Sequence, residues 1–185
     1  MKTDEEMMLK AIREGNETAF RKLVDEYKVM IVNTCYAFVH NREDAEDIAQ
    51  EVFITFYQTL QNFKAQCSIS TWLYRIAVSR SINHCRSLRK RMRKVNVEEW
   101  NLSENPSSQD LLAWEHLEED ELKDLLHRAI DSLPERQRTA LILNKYEELS
   151  YQEVADVMGI SLSSVESLIF RAKTNLEKIF RNWNE

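Results

Sequence analysis

The chain has 185 residues, of which 43% are hydrophobic and 30% charged, with a formal net charge of −6; this suits a soluble globular protein with one medium or two small domains. Only two glycines and two prolines occur. Strand-rich folds need turn residues every few positions, so this scarcity excludes them and predicts an all-α chain. No apolar run reaches bilayer-spanning length, and Lys2-Thr3-Asp4-Glu5-Glu6 is no signal-peptide core; a cytoplasmic protein without direct membrane insertion is expected.

The first helical patterning runs from Met8 to Phe38, with Ala19, Phe20, Leu23, Val24, Tyr27 and Ile31 in register. It is broken near Gly15-Asn16 and again near His40-Asn41. A second helix starts at Glu43, where Ala45, Ile48, Ala49, Val52, Phe53, Phe56 and Leu60 fall three or four apart. That spacing buries one face and leaves an acidic face free. After Phe63, a short polar segment from Lys64 to Ser70 leads into a third helix, Thr71 to about Lys94, apolar in its first half and basic in its second. Arg86, Arg89, Lys90, Arg91, Arg93 and Lys94 form a cluster suited to tracking phosphates; a solvated helix end is the plainer reading.

From Asn96 to about Ser108 the helical period lapses, and Ser103-Glu104-Asn105-Pro106-Ser107-Ser108 has the composition of an exposed connector. Glu98 to Asp124 holds ten acidic residues and one basic, a charge of −9, so the rest of the chain carries −6 − (−9) = +3. The predicted organisation is therefore two small helical domains, 1–95 and 121–185, joined by a flexible acidic linker, 96–120. In the second domain a helix is expected over about Leu111 to Asp131, with Leu122, Leu125, Leu126 and Ile130 as its stripe. Pro134 then opens another helix, through about Tyr146.

The last segment reads as a DNA-binding helix-turn-helix. Ser150 and Glu153 are spaced as a capping box. Val154, Val157 and Met158 recur at helical spacing, and Gly159 supplies the permissive backbone that ends the helix. Ser161 caps the next helix, whose inward stripe is Val165, Leu168, Ile169 and Ala172. Ser163, Ser164, Glu166, Ser167, Phe170 and Arg171, with Lys173 beyond them, are left to face a groove. Helical hairpins that only pack share this pattern.

Cys35, Cys67 and Cys85 are odd in number and widely spaced, as reduced thiols are. His84-Cys85 diverge on a helix and read as structural rather than zinc ligands. Cys85, beside Arg86, is the cysteine with a candidate cause for a depressed pKa. Glu43, Asp47 and Glu51 recur every four residues, as in a helical metal site, yet no Glu-x-x-His or second acidic helix accompanies them in this domain; no metal or cofactor is expected.

Three blocks in fixed order carry a family resemblance: Asp44-Ala45-Glu46-Asp47-Ile48-Ala49-Gln50-Glu51-Val52-Phe53; Ser70-Thr71-Trp72-Leu73-Tyr74-Arg75-Ile76-Ala77 with the basic run; and Leu133-Pro134-Glu135-Arg136-Gln137-Arg138, followed by Leu149 to Ala155 and Phe170-Arg171-Ala172. Together they resemble the extracytoplasmic-function (ECF) group of sigma-70-type bacterial sigma factors over nearly the whole chain. The resemblance implies a non-catalytic subunit that binds core RNA polymerase, directs it to promoter DNA and helps melt it. The two domains would be sigma regions 2 and 4, and no small-molecule substrate is involved.

By the same resemblance, Asp47, Gln50, Glu51, Phe53 and Tyr57 dock on the polymerase. Lys64, Gln66, Ser68, Trp72, Arg75, Asn83 and Arg86 match the region that reads the melted minus-ten element; Trp72 and Tyr74 can stack on bases or pack in the core. Ser163, Ser164, Glu166, Ser167, Phe170, Arg171 and Lys173 would meet the minus-thirty-five element, with Glu166 and Leu168 where many members carry Lys or Arg. A cognate anti-sigma factor is a further implied partner. The alternatives are a helix-turn-helix regulator without a polymerase role and a helical anti-sigma-like adaptor that never touches DNA.

Overall fold

The computed structural model describes residues 2–62, 67–99 and 119–182, and side chains within 4–61, 67–91 and 122–181. Lys64 and Gln66, most of the expected linker and the first half of the expected 111–131 helix lie outside the described residues. The elements are α1 (Lys2–Arg13), α2 (Glu17–Val39), α3 (Arg42–Thr59) with a 3-10 turn at Leu60–Asn62, α4 (Ile69–Glu99), α5 (Glu119–Ser132), α6 (Glu135–Lys145), α7 (Tyr151–Met158) and α8 (Leu162–Asn182). Among the described residues there is no strand, as the shortage of turn residues predicts.

Several helix ends have a local cause. Asn16 and Asn41 accept the Ala19 and Asp44 backbone N–H groups at 3.0 Å and cap α2 and α3. His40 closes α2 in the left-handed region, φ 54°, its N–H returned to the Tyr36 carbonyl. Pro134 stands at the N-cap of α6 rather than inside its first turn. The third helix is longer than the sequence suggests. It begins at Ile69, because the Ser68 hydroxyl accepts the Thr71 N–H at 3.1 Å, and it continues to Glu99, since no Gly or Pro interrupts it before Pro106.

The first core joins α1 to α4. Leu9, Ile12, Leu23, Ile31, Val52, Phe56, Leu60, Ile69 and Leu73 are buried within it, and the α3 stripe faces inward throughout. Burying each such side chain stabilises the fold by about 1.5–3 kcal/mol. Two further clusters mix elements from both halves of the chain. One packs Tyr74 with Ala140, Leu143, Val154, Val165 and Ile169; the other packs Ala37 and Phe38 with Ile130, Leu133, Leu141, Ile142 and Ala172. Val78, on α4, lies against both. Leu122 and Leu126, expected in the α5 stripe, keep more than a third of their surface exposed, whereas Ile130 is buried.

Candidate nucleic-acid interface

Three surfaces carry the residues singled out from sequence. On α3, the buried stripe turns Asp47, Gln50, Glu51 and Tyr57 to solvent, beside the exposed Ile54. This is an acidic and amide row with an apolar edge, a pattern that suits a basic partner helix. Phe53, expected among them, faces the other way: the side chain is 7% exposed and sits in the first core with Val52 and Phe56. Two features of the row were not read from sequence. Arg80, one helix away, donates to Glu51 Oε2 at 3.2 Å and to Thr55 Oγ1 at 2.8 Å. Tyr57 leans on Phe20, ring centroids 5.0 Å apart.

The second surface is the start and outer face of α4. Ser68 is exposed, but its hydroxyl is committed to the helix cap, 2.8 Å from Thr71 Oγ1 and 2.9 Å from Ser70 Oγ. Trp72 packs on Phe56 at 4.7 Å and 48°, and Tyr74 is buried with its hydroxyl donating to Glu147 Oε2 at 3.3 Å. Tyr74 therefore continues an apolar face of α4, whereas Trp72 is only partly buried against the first core. Asn83 is exposed. Arg75 and Arg86 are also at the surface, yet both are engaged. Arg75 donates through Nη2 and Nε to the Asp156 carbonyl at 2.6 and 3.2 Å. Arg86 forms a two-pronged pair with Glu135, at 2.8 and 2.9 Å. Arg89, Lys90 and Arg91 extend the basic face.

The third surface is the helix-turn-helix. Its capping box is present in full: Ser150 Oγ accepts the Glu153 N–H at 3.3 Å, and Glu153 Oε2 accepts the Ser150 N–H at 2.8 Å. Hydrogen bonds from the Ser150 hydroxyl, then from its backbone, hold the Glu153 carboxyl below its ordinary range. Gly159 turns the chain at φ 63°, where an L side chain is strained. Ser161 accepts the Ser164 N–H at 3.3 Å and starts α8. Val165, Ile169 and Ala172 are buried and Leu168 half-buried, so the inward stripe is as predicted. Ser163, Glu166, Ser167, Phe170, Arg171 and Lys173 are exposed, Phe170 by 72%, and Ser164 is half-buried.

Neither Cys35 nor Cys85 is activated. Burial pushes the Cys35 thiol up to about 11. Burial likewise raises Cys85 despite Arg138 and Arg89 nearby, and its thiol donates to the Phe38 carbonyl at 3.4 Å; the sequence neighbour Arg86 has no part in this. Among the described residues no group of three or more His, Cys, Asp or Glu could hold a metal ion. None of the described helices is long and apolar enough to cross a membrane.

The polar contacts between the two halves were also missed from sequence. His40 stacks on His127 at 3.9 Å and lies 3.5 Å from Asp131 Oδ1. Buried Arg138 donates to Asp131 at 2.7 Å and sits over the Phe38 ring at 5.7 Å. Burial works to raise Asp131, but His40 and Arg138 together outweigh it and hold the carboxyl below its ordinary range. The opposite holds for Glu147: burial pushes its carboxyl up in spite of hydrogen bonds from Thr34 and Tyr74.

The chain resembles known proteins along both halves. The family model for sigma-70 region 2 matches residues 23–91, which span α2, α3 and most of α4; that for sigma-70, region 4 matches residues 123–176, which span most of α5 to α8. The RNA polymerase sigma-H factor of Pseudomonas aeruginosa is 35% identical over 178 residues, covering 94% of this chain and 92% of that protein. The ECF RNA polymerase sigma factor SigW of Bacillus subtilis is 31% identical, covering 94% and 95%, and the ECF sigma-E factor of Escherichia coli 30%, covering 94% and 92%. In three dimensions the fold is similar to that of CnrH bound to the cytosolic domain of CnrY, with TM-score 0.67, 19% identity, and coverage of 96% of this chain and 97% of that one. It is also similar to the sigma factor RpoE bound to the anti-sigma factor NepR from Bartonella quintana, with TM-score 0.59, 20% identity, and coverage of 88% and 96%. With both regions present in order and relatives matched end to end, the chain belongs to the extracytoplasmic-function group of the sigma-70 family of RNA polymerase sigma factors.

Proposed function

We propose that the chain binds core RNA polymerase through the exposed row on α3, reads melted minus-ten DNA with the start and basic face of α4, and reads the minus-thirty-five element with α8. It acts in the cytoplasm, as a specificity subunit rather than an enzyme. The observation that carries this reading is the co-occurrence on one chain of the acidic docking row and the solvent-facing recognition helix, inside the segments matched by regions 2 and 4. Asp47, Gln50, Glu51 and Tyr57 are the docking residues. Ser68, Trp72, Arg75, Asn83 and Arg86, with Lys64 and Gln66, are the minus-ten residues, and Ser163, Ser164, Glu166, Ser167, Phe170, Arg171 and Lys173 meet the major groove. The domains run 1–95 and 121–185, with 96–120 as the connector. An anti-sigma factor, the type of partner seen on the Bartonella quintana protein, is the expected inhibitor.

The test is run-off transcription with purified chain, core polymerase and genomic promoter fragments from its own source. Promoter-specific transcripts that require the chain support the proposal. DNA binding without polymerase support would replace it with an ordinary regulator, and neither activity would leave an adaptor.

A further inference from the structure

We propose that Arg80 of α4 is a positioning residue for polymerase docking: it holds the Glu51 carboxylate of the α3 row in one orientation, so that the row meets its partner preformed. The role of the row rests on the sigma reading above. A glutamate side chain has three rotatable bonds, and ordering them on an exposed helix face opposes binding. Glu51 has lost much of that freedom already. Arg80 Nη1 donates to Glu51 Oε2 at 3.2 Å while Nη2 donates to Thr55 Oγ1 at 2.8 Å, so the planar guanidinium is fixed on two residues one helical turn apart. The Thr55 hydroxyl donates its one proton to the Glu51 carbonyl at 2.7 Å, which leaves its oxygen lone pairs to accept from Arg80. One small network therefore holds both the side chain and the carbonyl of Glu51.

Within the row the residues divide into held and open groups. Asp47 and Gln50 face solvent with no side-chain partner among the described residues. Glu51 is bonded through Oε2 and keeps Oε1 open to a partner. Toward the start of α3, His84 Nε2 lies 3.5 Å from Asp44 Oδ2, so α4 steadies both ends of the acidic face and leaves its middle uncovered. Charge alone would give Arg80 the opposite effect. A cation 3.2 Å from Glu51 partly neutralises the surface that a basic partner helix would meet, so its removal would strengthen an attraction governed by net charge. Removal of a brace weakens docking instead, and the sign of the change tells the two apart.

The test is competition for core RNA polymerase by the full chain, with thermal unfolding of each variant alongside. Arg80→Met keeps the aliphatic stem and removes the guanidinium. Thr55→Val removes the second anchor without changing charge, and Thr55→Ser puts the hydroxyl back. The Arg80 and Glu51 side chains are 43% and 59% exposed, so the expected loss of core affinity is that of a surface pair: about two- to fivefold in Arg80→Met and about twofold in Thr55→Val, with Thr55→Ser returning toward wild type. In a Glu51→Ala background, Arg80→Met should cause no further loss. A folding defect, or a direct contact between Arg80 and the polymerase, would persist in that background, so the comparison decides even if Arg80→Met lowers Tm. Tighter or unchanged binding by Arg80→Met, or an equal loss with and without Glu51, overturns the proposal. A wild type that fails to compete for core overturns the sigma reading and the brace with it; core binding that Asp47→Lys impairs and Arg80→Met leaves intact overturns the brace alone.

Discussion

Two neighbouring residues on α8 should separate folding from recognition. Ile169 is 1% exposed, inside the cluster with Val154, Val157, Val165 and Leu143, whereas Phe170 is 72% exposed. Replacing a fully buried isoleucine by alanine costs about 2–5 kcal/mol through lost transfer energy and the cavity left behind. Walls contributed by four helices limit collapse, so about 3 kcal/mol is expected for Ile169→Ala. For a chain of this size that lowers Tm by roughly 6–12 °C. Phe170→Ala removes a ring with few neighbours and should stay within about 0.5 kcal/mol of wild type. Its effect belongs to DNA. Covering an exposed Phe against thymine methyls or sugars contributes about 1–2 kcal/mol, or roughly 5–30-fold in affinity. The assay is thermal unfolding of the free chain, paired with holoenzyme binding to duplexes that wild-type holoenzyme selects from a random library. A Tm drop above about 4 °C in Phe170→Ala, or below about 2 °C in Ile169→Ala, would refute the assignment of which side of α8 faces the groove. So would undiminished promoter binding by Phe170→Ala.

Three further outcomes are expected. Arg171→Ala should weaken holoenzyme binding to selected promoter duplexes by about 1–3 kcal/mol and reduce the salt slope by about one, with Ser163→Ala losing less; equal losses across a salt titration would contradict the placement of Arg171. Asp47→Lys should lower affinity for core polymerase in a competition assay with little change in Tm, while Phe53→Ala should lower Tm first, its cost of about 3–5 kcal/mol being that of an emptied core position. Ser150→Ala removes the side-chain half of the capping box and should cost about 1 kcal/mol. Because Glu153 is depressed in the folded chain, its charge-assisted share of that cap is complete above the ordinary carboxylate range and lost as pH falls through the depressed value. Carboxyl NMR should find Glu153 titrating below the ordinary 4.5 in wild type and closer to it in Ser150→Ala, where the backbone N–H of residue 150 alone still donates to the carboxylate.

Local chemistry was legible in the sequence, and long-range pairing was not. Capping box, Gly159 turn and the α8 stripe are set by residues within one or two turns of each other, so spacing alone gives them. The α3 stripe was equally plain; the same periodicity that lists Phe53 with Val52 and Phe56 already assigns it inward, and only the family match suggested a surface role. Trp72 and Tyr74 illustrate the harder case, since an aromatic on an apolar helix face reads the same whether it meets a base or a core. Nothing local marks Arg75 for the Asp156 carbonyl, 81 residues away, or Arg86 for Glu135, 49 away. Those contacts follow from docking of the two domains, which no helical period encodes.

The charge on α8 follows from the same division of labour. Leu168, at a position where a basic residue is common in the family, is half-buried against the cluster under α8, so it contributes packing and no phosphate attraction. Glu166 is exposed and opposes such attraction, leaving Arg171 and Lys173 as the cations on the exposed side of α8 near Phe170. Non-specific duplex affinity scales with the number of phosphates neutralised, and so few cations make it small. A reader joined to a polymerase-bound domain does not need that affinity. Once the first domain is engaged, the second binding event is intramolecular, with an effective concentration near the millimolar range for a short connector. Discrimination can then rest on base contacts from Glu166, Ser167 and Phe170 rather than on backbone attraction, which carries no sequence information.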